Sequence, residues 1–424
     1  MQHHPRCLEK TDPESTRGES LMETLSERIL GASAGEYVDR AVDHAYVHDG
    51  TGVLTLEAWK SMGAKRIQDA AHLHVLFDHI VPANNSTTAT LQHELREFAR
   101  SSFLHFSDIG GGICHQIMSE GVVLPGEVVV GADSHSCTPG AFGAFATGVG
   151  ATDMAAIWMT GETWFRVPES IGIHLSGALT GAAEAKDLAL TYVSRLGMDG
   201  ATYRALEFIG EGTAALPMDD RLTLCNLAVE TGAKAGMFYA DDVTVQYLKT
   251  AGHAVKPQEP EPCRYIQELD FDLPDIVPVI AVPPRVDTIK PVHDLAGLPL
   301  DQVFVGTCTN GRYADLARFA RIVKGKKVAI RTIVVPASLA VLQEAIRTGV
   351  LTDIVEAGCT LGTPGCGPCL GAHMGVLGEG EVCLSTANRN FKNRMGVGGE
   401  IYLSSVATAA ASALEGEISV PGVS

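Results

Sequence analysis

Residues 127–134 read EVVVGADS, a short valine run that ends in glycine and a polar loop. A brief apolar run bounded by turn residues reads as a strand, and this one carries Asp133, Ser134 and His135 at its far end. Working outward, the same form recurs in DQVFVGTCT at 301–309, KKVAIRTIVVPAS at 326–338 and EVCLSTANRN at 381–390. Between them ADLARFARIVKG and SLAVLQEAIRTG are apolar at three-to-four spacing and closed by glycine, which predicts helices. Strands alternating with helices predict an α/β fold. Open α/β sheets bind ligands beyond the carboxyl ends of their strands, so the loops are expected to share one site. VVVGADS and VFVGTCT echo each other as strand, glycine and reactive loop, a hint of two similarly built halves.

The 424 residues suffice for roughly two to four domains, and 46% hydrophobic content supports substantial cores. Lys plus Arg number 32 against 50 Asp plus Glu, a net charge of -18 that disfavours nucleic acid and anionic membranes. An anionic substrate would need dedicated arginines. No apolar run approaches the ~20 residues that span a bilayer. Residues 1–21 lack an apolar signal core and carry several acids, so they are expected to be a mobile polar leader rather than a targeting peptide. Ten cysteines are too sparse for a disulfide scaffold, and a reducing cytoplasm fits best. The acidic, proline-rich stretch around 253–276 reads as a linker. No short tandem repeat points to a solenoid or propeller. GVGATD at 148–153 lacks the third glycine of a dinucleotide fingerprint and follows AFGAFAT, a poor strand pattern, so NAD is not inferred.

TPGCGPCLG at 363–371 contains Cys366-Gly-Pro-Cys369, a spacing shared by dithiol exchange, tetrahedral zinc and iron-sulfur clusters. Cys308, in VFVGTCTNGR, follows a strand among small and polar neighbours and looks presented rather than packed. Three thiols on two loops leave three readings open. A structural zinc would want a fourth ligand, for which His373 is the candidate. An iron cluster with three protein ligands would keep one iron open as a Lewis acid. Disulfide exchange is disfavoured by the flanks of the CGPC segment. Cys114, Cys137, Cys225, Cys359 and Cys383 sit in apolar or glycine-rich segments and read as core, while Cys7 and Cys263 read as incidental.

GADSHSCTPGAFGAFATGVGATDMA at 131–155, VGTCTNGR, TPGCGPCLG and STANRNFKNRMG together resemble the aconitase superfamily over about residues 22–418. The likeness is greatest to the large subunits of two-chain 3-isopropylmalate dehydratase and homoaconitase, in their short archaeal-like form. It implies three α/β domains, 22–165, 166–276 with the linker, and 277–424, packed around one [4Fe-4S] cluster held by Cys308, Cys366 and Cys369 with one open iron. It further implies a hydro-lyase that removes water from a 2-hydroxy dicarboxylic acid and restores it on the adjacent carbon. The favoured reaction is 2-isopropylmalate to 3-isopropylmalate in leucine biosynthesis, with homoaconitase or a dimethylmalate- or citramalate-type dehydratase as alternatives.

By the same resemblance, Asp78 and His79 assist the loss of water. His115 and the Asp133-Ser134-His135 triplet lie at the active site, and Asn226 and Glu230 lie near the labile iron. Asn388, Arg389 and Arg394 hold substrate carboxylates, and His48 contacts substrate. Read alone, each has a plainer alternative: a satisfied histidine at a strand end, a helix cap at Asp133 or Ser134, a solvated helix face for Asn226 and Glu230, a polar loop for the arginines. The swivelling fourth domain with its serine base is absent from this reading. A small subunit is expected to supply it in a heterodimer or heterotetramer. A cluster-free RNA-binding regulator is the non-enzyme alternative, opposed by the charge.

Overall fold

The computed structural model describes residues 23–261 and 263–422. The leader expected at 1–21, and Cys7 within it, lie outside the described residues. Among the described residues the α/β architecture is present as three main sheets and one two-stranded ribbon.

In the first sheet the strands lie side by side in the order His105–Ser107, Leu73–Leu76, His44–His48, Val128–Gly131, Phe145–Gly148. All are parallel. Leu73–Leu76 and Val128–Gly131 are buried at every residue, as continuous apolar runs in a parallel sheet should be. The strand order reverses direction between His44–His48 and Val128–Gly131, and the crevice at such a reversal is where α/β sheets hold ligands.

The second sheet runs Ala235–Phe238, Ala205–Ile209, Ser170–Ser176, Gln267–Asp272, again all parallel. Gln267–Asp272 lies inside the stretch expected to be a linker, so that expectation is corrected in part. Leu269 and Phe271 face the core while Glu268, Asp270 and Asp272 face solvent. The acids that suggested a linker are the exposed half of a period-two strand. A second correction concerns AFGAFAT: Phe145–Gly148 is a strand and leads into the helix Ala151–Thr160.

The third sheet has seven strands in the order Ile289–Pro291, Val279–Ala281, Glu400–Leu403, Val382–Ser385, Gln302–Val305, Arg331–Val334, Thr360–Leu361. The first two attach antiparallel and the other five are mutually parallel. Its order reverses between Gln302–Val305 and Val382–Ser385, which makes a second crevice. The echo between VVVGADS and VFVGTCT thus marks the same place in two sheets, a central strand beside a reversal.

The first and third sheets meet through backbone. Ile113 N–H donates to Ala337 O at 2.8 Å and Leu339 N–H to Gly111 O at 2.9 Å. Gly112 makes this possible, because its φ is +131° and a Cβ there would stand 2.5 Å from Ser338 Cα.

Candidate active site

Both crevices open onto one cavity of about 170 Å³. From the first sheet it is lined by His79, His115 and Asp133 to His135; from the third, by the three cysteines, Asn388, Arg389 and Arg394. Cys308 sits on the short helix Thr307–Asn310 just past the strand Gln302–Val305. Thr307 is held at φ +75°, a strained conformation for a β-branched residue that turns the chain abruptly toward the cavity. Cys366 caps the 3-10 turn Gly367–Leu370 and Cys369 lies within it.

Donors converge on the sulfurs. Asn226 Nδ2 donates to Cys308 Sγ at 3.1 Å and Asn388 Nδ2 to the same atom at 3.3 Å. Arg394 donates through Nε to Cys369 O at 3.0 Å and through Nη2 to Cys369 Sγ at 3.7 Å. A hydrogen bond from the Cys366 thiol, together with Arg394 and against the cost of burial, holds the Cys369 thiol well below its ordinary range. Such N–H···S contacts are the outer shell that thiolate-bound metal groups require. The donor set therefore fits an iron-sulfur cluster. The zinc reading is not supported, since His373 does not line this cavity among the described residues. Both thiols of the CGPC turn are buried, unlike the exposed attacking thiol of an exchange dithiol. Cys114, Cys137, Cys225, Cys359 and Cys383 are buried and free, in keeping with a packing role.

Facing the thiols is a chain of titratable groups. His79 Nδ1–H donates to Asp78 Oδ1 at 2.6 Å, and Asp78 is fully buried. Burial opposes the imidazolium, but the charge and hydrogen bond of Asp78, with Asp133 and Asp49 behind them, raise His79 to about 10. His48 stacks on the His79 ring at 3.6 Å between centroids, and burial plus the His79 charge lower it to about 4. A cation thus rests on a neutral ring. Asp133 is the hub: Oδ1 accepts from His115 Nε2 and from the His135 backbone, each at 2.8 Å, while Oδ2 lies 3.7 Å from His79 Nε2 and 3.8 Å from His48 Nε2. It does not cap a helix, since the next helical turn, Thr138–Phe142, has no side-chain cap. Burial pushes the Asp133 carboxyl up, but His115, His135 and His79 together hold it well below the usual range.

Asn226 and Glu230 are not on one solvated helix face. The helix Met218–Leu227 ends between them, Glu230 falls in the 3-10 turn Ala228–Thr231, and both are buried. Glu230 Oε1 bridges His135 Nε2 at 3.0 Å and Arg389 Nε at 2.7 Å. The site therefore gathers the three cysteines and every catalytic and substrate residue that the resemblance implies, though not His373. His79, His115, Asp133, Ser134, His135, Asn388, Arg389 and Arg394 line the cavity, while His48, Asp78, Asn226 and Glu230 stand behind as partners.

Sequence reasoning missed two supports. Asp49 accepts from the backbone N–H groups of Asp78, His79 and Ile80 at 3.2, 2.8 and 2.9 Å, fixing the turn that presents His79. Tyr46 shares a 2.9 Å hydrogen bond with His115 Nδ1. Strand alternation puts Tyr46 on the same face as His48 and was the available signal; nothing local marked Asp49. A larger recess of about 710 Å³ shares Asp133 and Ser134 but carries neither the thiols nor the arginines.

The model of the aconitase family (aconitate hydratase) matches residues 23–297 and 286–416. A probable methanogen homoaconitase large subunit of Methanosarcina mazei is 54% identical over 386 residues, covering 90% of this chain and 98% of its own length. The 3-isopropylmalate dehydratase large subunit 1 of Methanopyrus kandleri is 47% identical over 413 residues, covering 95% and 99%. The methanogen homoaconitase large subunit of Methanocaldococcus jannaschii is 44% identical over 416 residues, covering 93% and 99%. With thiols, carboxylates and arginines gathered as described and matches along nearly the whole sequence, the chain belongs to the aconitase family.

Proposed function

We propose that the chain is the large subunit of a hydro-lyase that converts 2-isopropylmalate to 3-isopropylmalate by dehydration and rehydration. The observation that carries this reading is the convergence of Cys308, Cys366 and Cys369 with a protonated His79 and two arginines in one cavity. A [4Fe-4S] cluster held by those three thiolates would supply a Lewis-acidic open iron.

The chain's own groups do the rest. Arg389 and Arg394 offer planar forks to substrate carboxylates, and their fixed charge offsets the negative charge that develops when a carbon-bound proton leaves. His79, kept cationic by Asp78, donates a proton to the departing hydroxyl and recovers it on re-addition. Asp133 orders His79, His115 and His135 around that proton. Glu230 holds Arg389 and His135 in register. The carbon base is assigned to a serine of a separate small subunit that closes over these loops. The large-subunit names of the relatives support a second chain.

A second reading, homoaconitase, is favoured by the name of the relative at 54% identity. The experiment is anaerobic cluster reconstitution with the cognate small subunit, followed by rates on 2-isopropylmalate, homocitrate, homoaconitate, dimethylmalate and citramalate. A preference of tenfold or more for 2-isopropylmalate is expected. Preference for homocitrate or homoaconitate would move the assignment to the second reading, and full turnover by the isolated large chain would overturn the two-chain mechanism.

A further inference from the structure

Lys186, in the first turn of the helix Ala185–Leu196, is fully buried and reaches the cysteine loops of the third sheet. Its Nζ donates to the backbone carbonyls of Thr386 and Ala387, each at 2.7 Å. Thr309 Oγ1 at 3.3 Å and Asn310 Oδ1 at 3.5 Å complete its shell. Two of these partners immediately follow Cys308, and the other two immediately precede Asn388, which donates to the Cys308 sulfur. Thr309 Oγ1 also donates to Thr386 O at 2.7 Å, so the two loops are pinned together at the ammonium.

Four oxygens and no donor around the nitrogen favour its three-proton ammonium form. Among the described residues no carboxylate lies within 4.0 Å of it to form an ion pair. A fully buried charge without a directly paired counter-ion is costly, and a fold retains one where nearby groups supply the opposite charge. Burial lowers Lys186 to about 8, and the groups that favour its charged form are first Cys308 and Cys369, then the more distant carboxylates of Asp315 and Asp187.

We propose that Lys186 is the buried counter-cation of the thiolate-bound cluster, a positioning residue that holds the Cys308 and Asn388 loops together and offsets the charge the cluster brings. This rests on the cluster assignment above. Cys369 is already favoured as a thiolate, but burial holds Cys308 as a thiol, and Cys366 stays protonated as the donor to Cys369 and is held up by burial. Because those two thiolates form when the group binds, the lysine is less compensated in the cluster-free chain than in the loaded one.

The test compares wild type with Lys186→Met and Lys186→Gln, each with and without a reconstituted cluster under strict anaerobiosis. Thermal unfolding of the cluster-free chains should show both variants at or above wild type. The loaded variants should release iron to a chelator at least tenfold faster, and their cluster should have a more negative reduction potential. A lysine that is merely a brace would lower the unfolding temperature of both forms alike and leave the potential unchanged. That result, or failure of both variants to fold without the cluster, would overturn the proposal. Wild-type protein that takes up neither iron nor sulfide would overturn the cluster assignment itself.

Discussion

Replacing Asp78 with Asn tests the acid–base array at its most charged contact. Asp78 Oδ1 lies 2.6 Å from His79 Nδ1, and Oδ2 accepts the Cys114 backbone N–H at 2.7 Å. Burial alone would push His79 below its ordinary 6.5, yet it stands at about 10, and Asp78 is the largest of the groups that raise it. Asparagine keeps the shape but removes the charge, leaving Asp133 at 3.7 Å from the other ring nitrogen. Removing that charge should bring His79 down from about 10 toward its ordinary 6.5, each pKa unit being ~1.4 kcal/mol of preference for the imidazolium. The sign follows from a raised folded value: the stabilisation is complete below about 6.5 and is lost as pH climbs toward about 10. Histidine ring nitrogens of the labelled cluster-free chain, titrated by NMR, should therefore show His79 losing its proton nearer neutrality in the variant. In the reconstituted two-chain enzyme the alkaline limb of dehydration should move down by the same interval. An unchanged His79 titration in a folded Asp78→Asn variant would refute the assignment of Asp78 as its main support.

Arg389→Lys keeps the charge but loses the planar fork and the 2.7 Å bond to Glu230; KM for the hydroxy acid should rise about 10- to 100-fold, from ~1.5–3 kcal/mol for a charge-assisted hydrogen bond, and an unchanged KM would remove Arg389 from the carboxylate site. Gly112→Ala places a Cβ 2.5 Å from Ser338 Cα at φ +131°, whereas Gly110→Ala, at φ +87°, meets nothing within 4 Å. Chemical denaturation should show only the left-handed penalty of ~1–2 kcal/mol for Gly110→Ala and a clearly larger loss for Gly112→Ala; equal losses would deny the close contact between the sheets. His74 is lowered to about 3 by burial and by His44, His105 and His72. A depressed histidine contributes stability above about 6.5 and loses it as pH falls toward 3, at ~1.4 kcal/mol per pH unit. His74→Gln should flatten that part of the acid limb of urea unfolding, and an unaltered slope would contradict it.

Much of the site was legible because its chemistry is concentrated in loops that strands announce. VFVGTCT and VVVGADS each show a valine-rich run, a glycine and a reactive side chain, and both strands flank a reversal of sheet order. Glu230 was legible as a residue but not as a geometry, since the change from α-helix to 3-10 turn after Leu227 has no glycine or proline to mark it. QELDFD was misread because three acids in six residues suggest a solvated linker, while the alternation that buries Leu269 and Phe271 is only two residues deep. Asp49 escaped notice because its task is to accept backbone N–H groups from a loop about thirty positions away. No local pattern reports a long-range acceptor.

The two halves of the chemistry are joined more tightly than lining one cavity requires. The Cys366 backbone N–H donates to the carbonyl of Asp78 at 2.7 Å, so the turn that holds two thiols is fastened to the residue that fixes the His79 proton. Gly365 permits the approach, since a Cβ there would stand 2.8 Å from that carbonyl oxygen. The acid–base residues of the first sheet and the thiols of the third therefore share a common backbone reference rather than facing each other across a hinge. On the proposed two-chain reading, the chain that closes the cavity meets a preformed wall on this side, so the motion that admits substrate is assigned to the added chain.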